Sequence, residues 1–337
     1  MLDHSCDEIC DDLASLRRDI VAEIVTLAKD QGLLHDWQLH AATAEDYGMK
    51  ITRLAHEPII RPHMDDRMGD NINGPSLIRI PAWVEKPLGR YYLYFAHHDG
   101  RYLRLAYSDD LLGPWTMYRE GVLPLHDALF AGHVASPDVH VDDVQRQIRL
   151  YYHGSDTPSG GGTPQATRVA LSPDGLYFTA GAALLGRPYF RVFRWDGYYY
   201  ALAMPGVFYR SRDGLNNFQE GPTLFTHNMR HTALKLDGSV LSVFYTNAGD
   251  CPERILLSII NLTPDWRNWE ASDPIVVLEP ELPYEGGDLP RVPSVRGLAT
   301  EPVCQLRDPA IFREHDCTYL LYAVAGESGI AIAALTT

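Results

Sequence analysis

The sequence repeats itself. From Asn73 onward one unit recurs five times: an apolar strand, a turn, an aromatic strand, a loop and another apolar strand. The first unit runs NGPSLIRIP, GRYYLYFAHHDG, RYLRLAYSDD and GPWTMY. The second starts at Ser136 with SPDVHVDD and RQIRLYYHG, and the third carries RPYFRVFRWDG and YYYALAM. RHTALKLDG with SVLSVFYTNAGD opens the fourth, and LRDPAIFREHD with CTYLLYAVAGE the fifth. The first four units add a fourth segment, usually with an aromatic residue. Such a unit cannot bury its sheet alone, so successive units must stack, and a ring of them must close to leave no open edge. The predicted fold is therefore an all-β, five-bladed β-propeller over residues 49–337. The fifth unit ends after its third strand. Residues 49–54, MKITRL, are expected to supply the missing outer strand by pairing near residues 330–335.

Residues 1–48 read as a helical extension. Leu13, Leu16, Ile20, Ile24 and Leu27 recur at spacings of three and four, which makes one apolar stripe, and Gly32 is a natural stop. The stripe must pack on the propeller or on the same helix of a second subunit, which would make a homodimer. The net charge of −15 argues against a broad nucleic-acid surface and against an anionic membrane. The N-terminus lacks a basic start followed by an apolar run, and no stretch approaches the roughly 18 apolar residues of a membrane span. With five scattered cysteines (Cys6, Cys10, Cys251, Cys304 and Cys317), the expectation is reduced thiols and a cytoplasmic protein. Residues 159–162, Ser-Gly-Gly-Gly, lack the Lys-Ser/Thr of a phosphate loop, and neither a nucleophile elbow nor a zinc-spaced Cys/His cluster appears.

In a propeller the innermost strand of each blade lines the axis. Its start, together with the loop after the second strand, comes out on one face as a funnel. The strand starts place Asn73, Asp138, Arg191 (or Tyr189), His231 and Asp308 there. The ends of the second strands add His97, His98, His153, Asn247 with Asp250, and Glu327. Arg307 stands beside Asp308, and the long segment before the fifth unit offers Glu285 and Asp288. Acids, imidazoles and guanidiniums in one funnel are what a polyhydroxylated ligand needs. Each also has a plain structural reading. Asp138 and Asp308 can cap turns, the histidines can bond loop carbonyls, and the arginines can pair with channel carboxylates. Glu285 and Asp288 can be a solvated turn. His231 can orient a bound ion or water, and a channel-bound cation such as calcium or sodium fits the same position.

The blades resemble the five-bladed propellers of the arabinanase and xylosidase type, related to fructan hydrolases and anhydro-galactosidases. The resemblance rests on Ser-Pro-Asp-Val at Asp138, Tyr-Tyr-Leu-Tyr at Tyr91–Tyr94, Ser-Asp-Asp-Leu-Leu-Gly-Pro-Trp at Ser108–Trp115, and Arg-Asp-Pro at Asp308. It implies a glycosidase with three carboxylates from the first three blades. Asp138 matches the one that orients and tunes. Where the family has its first-blade Asp stands Asn73, and where it has a third-blade Glu the chain reads Tyr189-Phe190-Arg191. The resulting expectation is an inverting hydrolase of a small oligosaccharide or glycoside that uses two of Asp138, Asp308 and Glu327. A non-catalytic sugar-binding propeller is the alternative. A glycoside phosphorylase or other carbohydrate enzyme is a second, with Arg168, Arg191, Arg230 and Arg307 as candidate anion ligands for a phosphorylase.

Overall fold

The computed structural model describes residues 43–44, 48–157 and 164–336. The helix expected over 11–31, Cys6, Cys10 and the glycines of 159–162 lie outside them. The described residues form five four-stranded antiparallel sheets. Blade one is β2 (Asn73–Arg79), β3 (Tyr91–Ala96), β4 (Tyr102–Ser108) and β5 (Thr116–Pro124). Blade two is β6 (His133–Asp142), β7 (Gln147–Ser155), β8 (Ala166–Ser172) and β9 (Thr179–Ala180). Blade three is β10 (Arg191–Trp195), β11 (Tyr198–Ala203), β12 (Val207–Ser211) and β13 (Gln219–Thr223). Blade four is β14 (Met229–Asp237), β15 (Val240–Asn247), β16 (Ile255–Asn261) and β17 (Ile275–Leu278). Blade five is β18 (Arg307–Glu314), β19 (Cys317–Ala323) and β20 (Ile330–Thr336), completed by β1 (Lys50–Arg53).

The second strands are aromatic and apolar throughout because both of their faces are covered. Side chains alternate across a strand, so one strand feeds two cores. Tyr92 and Tyr94 of β3 pack with Leu150 and Tyr152 toward blade two, while Leu93 and Phe95 pack with Phe312 and Leu321 of blade five. In the same way Phe244 faces Leu320 and Tyr322, while Val243 and Tyr245 face Tyr200 and Phe208. The core therefore sits between blades, and the axis is left to polar groups.

The outer turns repeat as well. In blades one to three, Ser108, Ser172 and Ser211 end the third strand, and each hydroxyl accepts the amide two residues on. Asp110, Asp174 and Asp213 then accept the amides of Leu112, Leu176 and Leu215. The recurring Ser-x-Asp is thus a turn made by short side chains that satisfy their own backbone.

The ring closes through β1, which pairs antiparallel with β20, Lys50 opposite Thr336 and Arg53 opposite Ala333. A buried ion pair locks this seam. Arg53 donates through Nε to Glu285 Oε1 at 2.8 Å and through Nη2 to Oε2 at 2.9 Å. Tyr322 and the amides of Glu281 and Leu282 supply the remaining donors to that carboxylate. Glu285, fully buried, is thereby a structural residue of the seam rather than a funnel residue. No helix among the described residues is long and apolar enough to cross a membrane.

Removing one partner of a buried pair strands the other's charge, at a cost of about 3–5 kcal/mol. Arg53→Ala is expected to lower unfolding free energy by about that amount in urea titration, whereas Arg79→Ala, whose partner Glu314 lies nearer solvent, changes it by under about 1 kcal/mol.

Candidate active site

Four of the five innermost strands begin with the same irregularity, and only β10 pairs without it. The pairing of Asn73 with Ala96 is followed by that of Ser76 with Tyr94, so the inner strand holds one extra residue. The same bulge lies between Ala135 and Asp138, Arg230 and Ala233, and Arg307 and Ala310. Its first inserted residue has a left-handed backbone: Gly74 (φ 59°), Ser136 (φ 50°), His231 (φ 52°) and Asp308 (φ 48°). Tyr189 (φ 72°) holds that place in blade three. Only glycine adopts this conformation freely; a side-chain-bearing residue there costs on the order of 1 kcal/mol. The bulge aims these residues away from the sheet and into the funnel.

The equivalent ring is therefore Gly74, Ser136, Tyr189, His231 and Asp308, which corrects the register read from the sequence. Asp138 and Arg191 stand two residues further along, level with Ser76, Ala233 and Ala310. Asn73 stands one residue earlier, level with Arg230 and Arg307. Asp138 and Asp308 consequently do not share a position in the repeat. Asp138 Oδ2 is 2.8 Å from His140 Nε2 and accepts the Val192 amide at 2.8 Å. Arg191 donates to the carbonyls of Thr232 and Pro137. Asp138 and Arg191 line a small cavity along the axis, away from the funnel. Burial works against the Asp138 carboxylate, but His140, Arg191 and the Val192 amide outweigh it and hold its pKa below the ordinary value.

The funnel itself is a cavity of about 450 Å³ whose walls include Asn73, His98, His153, His231, Asp308 and Glu327. His97 stays out of that wall and accepts the Asp99 amide within its own loop. Asp250 sits in the loop after β15, where its carbonyl accepts the Ser294 amide, and Asp288 is exposed; neither lines the funnel. Arg168 turns outward over the Phe130 ring and bonds the Ala182 carbonyl.

Two carboxyls face the cavity, and their surroundings push them apart. Glu327 follows β19 and is buried, which alone would raise its pKa. Donation from His98 Nδ1 at 3.2 Å, the Arg307 charge at 2.8 Å and the Asn71 amide at 2.5 Å overcome this and bring it down to about 2. Asp308 is equally buried, and among the described residues no donor hydrogen-bonds to its carboxyl; His231 Nδ1 stands 3.8 Å away. Burial and the nearby Glu327 charge push Asp308 well above the ordinary carboxyl range, favouring its protonated form. Divergent surroundings of this kind separate an acid from an ionised partner.

Residues that sequence reasoning did not single out complete the site. Glu253, wholly buried, receives Arg230 through Nε at 2.9 Å and Nη2 at 2.5 Å, with Arg307 Nε at 3.6 Å. Arg296 reaches the rim from the long segment between β17 and β18 and is pinned to the His227 carbonyl at 2.6 Å. Blade two adds His133, bonded to Ser155. Burial lowers the pKa of His133, and lowers His153 and His231 much further, so these imidazoles are neutral. Among the described residues no set of three or more His, Cys, Asp or Glu forms a metal site, and the axial Asp138 is already engaged by His140 beside the Arg191 cation.

No protein-family model matches the chain. The "Uncharacterized protein R118" of Acanthamoeba polyphaga mimivirus is 38% identical over 299 residues, 79% of this chain and 83% of that protein. The chain belongs to the R118 family. Among solved structures, the architecture is shared with CoXyl43, a GH43 β-xylosidase/α-arabinofuranosidase from a compost microbial metagenome (14% identity, TM-score 0.56, 85% of this chain and 94% of that one). The GH43_1 enzyme of Xanthomonas citri aligns with a TM-score of 0.55 at 12% identity, over 85% and 91% of the two chains. A structure from the GH130 family of mannoside phosphorylases, described as containing hydrolases of β-1,2 mannosidic linkages in Candida mannan, aligns with a TM-score of 0.58 at 12% identity, over 89% and 95%. At such identities the likeness establishes the fold of this R118 family member: the five-bladed propeller of glycoside hydrolases and phosphorylases.

Glu327 has a folded pKa below its unfolded value. Its contribution to stability is thus present above pH 4.5 and is lost as pH falls toward about 2; it is on the order of 3 kcal/mol. Glu327→Gln should therefore be less stable than wild type by urea titration at pH 7, and the gap should close as the pH is lowered through that window. The same substitution removes one cause of the raised Asp308 pKa, so Asp308 should titrate lower in the variant.

Proposed function

We propose that this protein cleaves a glycosidic bond by single displacement with inversion, and that Asp308 is the proton donor. The observation that carries this is the buried Asp308 carboxyl at the wall of a funnel, without a hydrogen-bond donor among the described residues and with its pKa raised by burial and the Glu327 charge, on a fold shared with carbohydrate-active enzymes. Asp308 gives its proton to the leaving oxygen as the C1–O bond breaks. Glu327, held ionised by His98, Arg307 and Asn71, is the fixed negative charge that keeps Asp308 protonated until then.

Inverting hydrolysis also needs a carboxylate base to activate water. Glu327 is too weakly basic for that task, and Asp138 faces the axial cavity instead. An acceptor that is already an anion needs no base. Arg230 and Arg296 reach the funnel, and with Arg307 behind them they exceed the carboxylates Glu253 and Glu327 by one charge when Asp308 is protonated. Inorganic phosphate is therefore the acceptor that the funnel favours. A phosphate oxygen bonds to C1 as the leaving oxygen takes the Asp308 proton, and the sugar phosphate returns a proton to Asp308. Hydrolysis with water in the same place is the second reading, supported by the glycosidases that share the fold.

Short manno-, gluco-, xylo- and arabino-oligosaccharides, incubated with and without phosphate, test this. A phosphate-dependent sugar 1-phosphate supports phosphorolysis, and free sugar in the absence of phosphate supports hydrolysis. In either case Asp308→Asn should lower kcat by about 10³-fold, the scale of general-acid catalysis. Wild-type activity should fall as pH rises through the raised Asp308 pKa. An unaffected rate in Asp308→Asn would sink the assignment.

A further inference from the structure

The funnel wall built by blades two to four carries polar atoms that the cleavage scheme does not use. Tyr189 is 4% exposed and its phenol has no hydrogen-bond partner. His153 is 6% exposed, and its Nδ1 is likewise unpartnered. Both line the cavity, with ring centroids 5.3 Å apart and planes inclined at 34°. His231 flanks the other side of Tyr189 at 5.2 Å. Arg191 places its guanidinium 5.0 Å from the Tyr189 ring centroid; its Nε and Nη1 are held by backbone carbonyls, and its buried Nη2 has no partner.

A buried phenol normally bonds to protein, and elsewhere in this chain it does. Tyr94, Tyr151 and Tyr152 donate to the carbonyls of Gly175, Gly214 and Ala128 at 2.8–2.9 Å, and Tyr322 donates to Glu285. Tyr189 departs from this pattern at a position where a bulky side chain is carried on left-handed backbone. Blades one and two place the small residues Gly74 and Ser136 at the equivalent positions, and Ser136 lines the cavity.

We propose that Tyr189 and His153 form a hydroxyl-reading pair: the phenol donates to, and His153 Nδ1 accepts from, one hydroxyl of the bound sugar ring, and this contact determines which sugar the funnel accepts. The inference rests on the reading of the funnel as a carbohydrate site. Its physical basis is that two buried polar groups left unpaired penalise any ligand lacking that hydroxyl far more than a lost apolar contact would. The ligand class is a neutral pyranose or furanose with a free hydroxyl at the position presented to Tyr189.

Calorimetric titration of the full chain with glucose, mannose, galactose, xylose and arabinose, followed by every monodeoxy and deoxyfluoro form of the tightest binder, tests the pair. One position should lose about a hundredfold or more in affinity as the deoxy form, with the fluoro form no better, since fluorine cannot donate. In Tyr189→Phe the parent sugar should bind about tenfold more weakly or worse, and the discrimination at that position should shrink to under about tenfold. The melting temperature should hold or rise, because no protein partner is lost. A wild type that tolerates deoxygenation at every position overturns the pair while leaving the carbohydrate reading intact. So does a Tyr189→Phe protein that discriminates like wild type, or one that melts lower. Failure of all five sugars to bind overturns both.

Discussion

The funnel depends on the seam between blade five and blade one. β1 enters blade five as its outer strand, and half-buried Arg53 ties it to the inaccessible Glu285. On the side of blade five that meets blade one, Asn71 and His98, which flank the first and second strands of blade one, donate to Glu327. The charge that keeps Asp308 protonated is thus held from both sides of the junction. A ring left open there would hydrate Glu327, weaken its field and remove the burial that raises Asp308.

Buried charge around the funnel forms one connected chain. Glu253 joins Arg230 of β14 to Arg307 of β18, and Arg307 continues to Glu327. Each ion is nearly inaccessible, so each would carry a large desolvation cost if isolated. Shared donors offset that cost and also set geometry, since the planar guanidinium of Arg230 meets both Glu253 oxygens. Asp308 stands next to this network but outside its hydrogen bonds, so burial and the Glu327 charge raise its pKa without a donor to offset them.

The five bulge positions divide the labour by side chain. Gly74 and Ser136 are the small members, Tyr189 and His231 supply polar rings, and Asp308 supplies a buried carboxyl. A glycine-like backbone filled by four other residues is a local strain, and local strain of this kind is commonly kept where a side chain must be aimed at a ligand. Within that ring, the first two blades present no acid to the funnel.

Much of the fold was legible because its causes are local. Side-chain alternation and the Ser-x-Asp turns mark strand after strand, and five such units that must hide both faces leave a ring as the outcome. The aromatic strands β3, β7, β11, β15 and β19 announced burial on two sides. Asp308, His231, His153, His98 and Glu327 were legible as funnel residues because they stand at strand ends. The register was not. The bulge before the regular pairing leaves no mark on the apolar pattern, so Asp138, two residues past the bulge position of its blade, reads like Asp308, which occupies that position in its own. A proline after Gly74, Ser136 and Asp308 was the available marker. Glu253 and Arg296 lie in loops without repeat structure, and Glu285 joined the seam through contacts hundreds of residues apart in the chain. The sequence by itself determined the blade count and the residue types at the mouth, since periodicity and turn chemistry act over a few residues. Only the tertiary structure decided which carboxyl keeps its proton, because that depends on burial and on charges brought together from three blades.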